Sequence, residues 1–284
     1  TSAPTAAATH KTDPITRKDP VRERVEHSAF DHPELLSVFP ETTYPVIPEL
    51  PYEDRALNAD STFKNLLAGD VTITHLSPKI GSEIAGIQLH ELSDAQKDEL
   101  ALLIAQRGVV FFRDQALDID QQVALGRYYG PLHIHQYLGH PEGYPEGLTA
   151  IHSSEAQGDR AAKRGFFVRR PMVEFEHPIV RTHPATGRKT LFVNAGFTTR
   201  IPQLSAVESD AVLHFLYQHV AQGHESQVRY RWSKDAVAIW DNRNTFHFAT
   251  FDYLPGNRHA VRVTTQAERP YQSFKADEHH QGAP

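Results

Sequence analysis

The sequence predicts a mainly β domain with flanking helices, and three observations carry that expectation. Short apolar runs with a two-residue alternation recur along the 284 residues. At Ser93, Asp118 and Ser205 a capping residue is followed three positions later by Gln or Glu, the reciprocal cap that opens a helix. Glycine closes each of these helical stretches, at Gly108, Gly130 and Gly223. With 39% hydrophobic residues and a net charge of -6, the chain can bury one full core, so one domain with an irregular arm is expected.

Taken in order, residues 1–60 read as an extended Pro-rich arm, because Pro33, Pro40, Pro45, Pro48 and Pro51 forbid a regular helix or central strand. Its apolar residues, among them Leu35, Leu36 and Phe39, point to contact with the domain or a neighbouring subunit after about Phe30, while the first twenty or so residues read as disordered. Val71 to Leu76 alternates as a strand. The Ser93 helix places Leu100, Leu103 and Ile104 on one face, and Val109 to Arg113 follows as a buried strand. The Asp118 helix ends at Gly130-Pro131. His133 and His135 share a face at a strand edge. Residues 155–170 read as a solvated loop or lid. The prolines after His177 and His183 restrict both histidines to extended geometry, so they are expected at an edge or turn, flanking a strand Ile179 to Thr182. Thr190 to Val193 is the next strand. After the Ser205 helix, with His214 and His219 on its surface, Val228, Tyr230 and Trp232 alternate as a half-buried strand, and Ala236 to Trp240 forms another. Residues 271–284 read as a frayed polar tail.

Composition excludes several classes of function. The chain has no cysteine, so a metal site would be built from histidine, carboxylate and water, and 18 histidines supply candidates. No apolar run reaches the length of a membrane span and the N-terminal stretch lacks a signal-peptide core, so no membrane partner and a cytoplasmic location are expected. Mild acidity without a basic block argues against nucleic acid.

The chemistry concentrates in WDNRNTFHFATFDYLPGNRHAVR, Trp240 to Arg262. Arg258 and Arg262 are four residues apart, so on a strand over His259 to Gln266 they project from one face. Two guanidinium groups on one side of a sheet need water or anions, and a carboxylate or sulfonate meets that need. His247 stands beside them as a possible metal ligand, although a lone histidine is more often structural.

That run, together with HPIVRTHPATGRKTLFVNAGFTTRI from His177 and FFRDQALDIDQQVALGRYYGPLHIH from Phe111, resembles the taurine/alpha-ketoglutarate dioxygenase family. The resemblance implies a double-stranded β-helix, or jelly roll, over residues 61–270, with Fe(II), 2-oxoglutarate and O2, and a small anionic organic substrate, most simply a sulfonate such as taurine. It implies release of aldehyde and sulfite with succinate and CO2, and a homo-oligomer. It makes His247 the second iron-binding histidine, Arg258 the partner of the distal 2-oxoglutarate carboxylate, and Arg262 with His135 the holders of the substrate's anionic head. Phe192, Phe197 and Trp240 become candidates for the pocket wall. Alkyl sulfates and carboxylates remain alternative substrates, and a noncatalytic anion-binding homologue the alternative class.

One part of the family pattern is missing. The sequence has no His-x-Asp pair, and near 145–147 the text jumps from HIHQYLGHPEGYPE to GLTAIHSSEA, which resembles the end of a later helix. His152 and Glu155 are the nearest local substitute and are expected to be structural. Omission of a block from the sequence, deletion, or natural loss would each give this text. A closed two-sheet β-helix deprived of several inner strands would be left with exposed edges and apolar faces.

Overall fold

The site is carried by a four-stranded sheet and a separate two-stranded ribbon. A computed structural model describes residues 30–38, 42–46, 48–135, 138–144, 147–153, 173–250, 252–253 and 256–273. β2 (Thr72–His75), β3 (Ser82–Ala85), β4 (Val109–Phe112) and β9 (Val237–Trp240) form the larger sheet in the order β2-β3-β4-β9. β3 and β4 are parallel and are joined through helix α1 (Asp94–Arg107), while the other two pairings are antiparallel. Leu100, Leu103 and Ile104 of α1 pack with Ile84, Val110 and Phe112 of the sheet into the main core. Burying such side chains contributes roughly 1.5–3 kcal/mol each.

The reciprocal caps form at all three expected helix starts, on α1, α2 (Ile119–Tyr129) and α3 (Ala206–Gln222). A buried carboxylate fixes the segment in front of α1. Glu99, fully buried, accepts hydrogen bonds from Asn65 Nδ2 at 2.5 Å, Leu66 N at 2.6 Å and Asn65 N at 3.0 Å. α3 packs on a second, smaller core of Val193, Ile201 and Leu213.

The remaining sheets have two strands each: β1 (Ser37–Val38) with β5 (His140–Pro141), β6 (Leu148–Ser153) with β10 (Arg258–Val263), and β7 (Val180–Thr182) with β8 (Lys189–Leu191). The expected jelly roll is therefore not closed among the described residues. Its cost is visible at the surface, where Phe197 is 80% exposed, Phe215 66% and Phe248 88%, apolar faces of the kind that missing inner strands leave. The arm after Phe30 does lie on the domain. Phe30 and Leu36 are buried, and β1 hydrogen-bonds β5.

Three expectations fail. Residues 227–233 form no strand. Tyr230 stacks on Phe111 at 3.9 Å and Arg113 donates to the Arg231 carbonyl, but no strand among the described residues meets this backbone, and Trp232 is exposed. His183 does stand at the turn between β7 and β8, its carbonyl accepting from Gly187 N at 2.8 Å, but it is also fully buried, with Nε2 on the Asp241 carboxylate. The segment after 147 is no helix end: it is β6, held extended by β10. Residues 271–273 are tied down, with Thr182 N donating to the Tyr271 carbonyl at 2.8 Å and Lys189 Nζ to the Ser273 carbonyl at 2.6 Å. The first twenty residues, the loop or lid at 155–170, Glu155 and the end of the tail lie outside the described residues.

Candidate active site

β10 pairs with β6 antiparallel, with Arg258 opposite Ser153 and Arg262 opposite Thr149. Strand alternation puts Arg258, Ala260 and Arg262 on one face and His259, Val261 and Val263 on the other. The second face is occupied. His259 meets Phe30 edge-on at 5.4 Å, and Val263 abuts α2 so closely that a Cβ on Gly126 would lie 2.3 Å from its Cγ1. The arm and α2 thus leave the two arginines to the opposite side.

His247 reaches that side from the turn after β9. Asp241 N donates to the Gly108 carbonyl at 3.0 Å, and the Asp241 carbonyl accepts from Asn244 N, Thr245 N and Thr245 Oγ1 at 3.2, 3.0 and 2.7 Å. Gly108, with a φ of +74°, ends α1 where a side chain could not fit, since its Cβ would stand 2.6 Å from Thr245 Cγ2. Beyond Thr245 the His247 ring packs against Trp240 with centroids 5.0 Å apart while its outer edge meets solvent. Partial burial, and then the positive charges of Arg262 and Arg258, hold its imidazole below the ordinary histidine range. The neutral ring is the form that ligates a metal.

Behind the turn lies a buried charge cluster. The Arg243 guanidinium forks onto the Asp241 carboxylate, with Nε at 2.9 Å from Oδ1 and Nη2 at 2.7 Å from Oδ2, and its Nη1 reaches Asp54 at 2.5 Å and Glu268 at 3.3 Å. Glu268 also pairs with Arg181. His183 Nε2 donates to Asp241 Oδ2 at 2.9 Å while its Nδ1 accepts from Ala185 N and Thr186 N, a pattern that puts the proton on Nε2. Burial alone would raise the Asp241 pKa. The hydrogen bonds from His183 and Arg243 outweigh it and hold the carboxyl well below the usual range.

The structure therefore sets Arg258 and Arg262 on one face of β10, near enough to His247 for their charges to act on its ring. His135 is placed by other contacts: His133 N donates to the Thr264 carbonyl at 2.7 Å, alongside the continuation of β10, and His135 Nδ1 accepts from Leu138 N at 3.2 Å. Trp240 covers His247, whereas Phe192 lies under the Arg181 guanidinium and Phe197 faces solvent. The sequence assigns no site role to Asp241 or Arg243, and places His183 only at an edge or turn. The Asp-x-Arg spacing in a turn was the available signal for the first two. No group of three His, Asp or Glu side chains able to hold a metal forms among the described residues. His247 would be a lone donor, and an iron ion does not fit the described residues without donors from elsewhere.

Comparison with known proteins gives the class. The family of the taurine catabolism dioxygenase TauD, TfdA matches residues 72–169 and 146–264, and the chain belongs to that family. It is 35% identical to an alpha-ketoglutarate-dependent sulfonate dioxygenase of Saccharomyces cerevisiae, with 79% of this chain and 74% of that protein covered. It is 30% identical to the alpha-ketoglutarate-dependent dioxygenase cnsM of Penicillium expansum, over 89% of this chain and 94% of that one. Among solved structures, a taurine dioxygenase from Burkholderia xenovorans superposes with a TM-score of 0.61 at 25% identity, covering 72% of this chain and 93% of that one. The alignments to the two fungal relatives run over 307 and 338 positions, more than the 284 residues of this chain, so both relatives carry residues without a counterpart here. The two family matches overlap from residue 146, where the sequence text jumps.

Proposed function

We propose that the protein is a dioxygenase that uses Fe(II), O2 and 2-oxoglutarate to hydroxylate the carbon bearing a sulfonate, as in taurine. The product fragments to an aldehyde and sulfite, and 2-oxoglutarate leaves as succinate and CO2. The observation that supports this reading is the pair Arg258 and Arg262 on one face of β10, whose charges act on the His247 imidazole. Arg258 grips the distal carboxylate of 2-oxoglutarate, and Arg262 with His135 holds the sulfonate, because guanidinium groups pair with such anions in a bidentate, desolvated geometry. His247 contributes one iron ligand, and the His-x-Asp pair that the family resemblance implies for the others has no counterpart in this sequence. The domain spans 61–270 and assembles as a cytoplasmic homo-oligomer.

The test is succinate formation from 2-oxoglutarate that requires added Fe(II) and rises with taurine. Arg258→Ala is expected to raise the half-saturating 2-oxoglutarate concentration roughly 30-fold, about 2 kcal/mol for one truncated charge pair. Unchanged cosubstrate dependence in that variant refutes the role of Arg258. A second reading is favoured by the incomplete ligand set: an anion-binding homologue that takes up 2-oxoglutarate without turnover. The intact mass of the protein from its source separates the two. A mass of 32.0 kDa favours the binding protein, and a clearly larger one favours the dioxygenase.

A further inference from the structure

Ion clusters buried as deeply as that around Arg243 are poor stabilisers, because desolvating each charge costs as much as the pairing returns, and well-packed apolar residues do the same work. This one sits beneath the turn that leads to His247. Asp241 joins the two: its carboxylate is held by His183 and Arg243, and its carbonyl holds Asn244 and Thr245. His183 enters from the chain just after β7, and Asp54 and Glu268 come from the arm and from beyond β10, so three remote segments grip one turn. The bond from His183 also has a fixed direction. With Nδ1 committed to Ala185 N and Thr186 N, only Nε2–H can face Asp241.

We propose that His183 is a positioning residue for His247, acting through Asp241: its Nε2–H sets the orientation of the Asp241 carboxylate, and Asp241 sets the turn that aims the His247 ring at the arginine face. This rests on reading His247 as a site residue. The experiment follows the position of that ring directly, so it succeeds or fails whether or not the protein turns over.

Trp240, with its ring centroid 5.0 Å from that of His247, provides the reporter, since the ring current of an indole displaces the imidazole carbon-bound proton resonances. The His247 peak is assigned with His247→Gln, and its displacement is compared in His183→Asn and His183→Gln. Asn keeps an acceptor for Ala185 N and Thr186 N but is too short to reach Asp241. Gln reaches Asp241 with an amide donor. The expected result is loss of most of the displacement in His183→Asn and its retention in His183→Gln, with Trp240 and His247 still in place in both amino-acid sequences. A His183→Asn protein that unfolds at lower urea but shows an unmoved His247 peak overturns the proposal and leaves His183 purely structural. Should His183→Asn not fold, Asp241→Asn takes its place; it keeps the side-chain volume and removes the charge that His183 and Arg243 bind. An unmoved peak there overturns the proposal as well, and a moved one supports it.

Discussion

Replacing Gly108 by alanine tests whether the end of α1 sets the place of the site turn. Two costs add. A φ of +74° is hard for a residue with a Cβ, at about 1–3 kcal/mol, and that Cβ would lie 2.6 Å from Thr245 Cγ2, an overpacking worth about 1–3 kcal/mol. Against them stands the lower entropy of the unfolded alanine chain, about 0.4–1 kcal/mol. A net loss of roughly 1–5.5 kcal/mol is expected in urea unfolding of Gly108→Ala. Thr245→Ser then separates the two costs. Serine keeps the hydroxyl that donates to the Asp241 carbonyl and drops only the clashing methyl. In the Thr245→Ser background, Gly108→Ala should cost about 1–3 kcal/mol less than in the parent, the part assigned to the clash. Equal losses in both backgrounds refute the contact, and a neutral Gly108→Ala refutes the entire argument.

Two other perturbations have definite signs. Glu99→Ala strands the buried Leu66 N–H and removes the charge-assisted bonds at Asn65, so urea unfolding should register a loss of about 3 kcal/mol, far more than replacement of the exposed Asp94 on the same helix by alanine. The folded pKa of Asp241 lies below its unfolded value of about 3.9, so its contribution to stability is complete above that value and lost as pH falls toward the folded pKa. Urea midpoints measured between pH 6 and pH 3, values chosen to span about that threshold, should therefore fall less steeply in Asp241→Asn than in the parent.

What the sequence reveals about this protein divides along the line between local and distant causes. The caps at Ser93, Asp118 and Ser205 form because each needs only residues three positions apart, and the shared face of Arg258 and Arg262 follows from alternation within a single strand. Val228, Tyr230 and Trp232 alternate as well as any strand, yet no neighbour among the described residues pairs with them, and pairing is not written in a single segment. His183 shows the same limit at the site. Its proline restricts only its own backbone, and what buries it is Asp241, 58 residues further on. The segment 148–153 resembles a helix end by likeness alone, but the ladder to β10 decides its conformation.

The order of strands has a consequence for how the chain folds. β2, β3, α1 and β4 are consecutive in the sequence and share one core, so this unit can assemble through short loop closures. β9 joins it only by pairing Val109 with Trp240, across more than a hundred residues of intervening chain. The strand leading to His247 is thus a late arrival on a framework that is already complete. Insertions or losses between β5 and β9 then act on the rate and accuracy of that last docking, and on the chemistry it delivers, while the nucleus on which it docks is left intact.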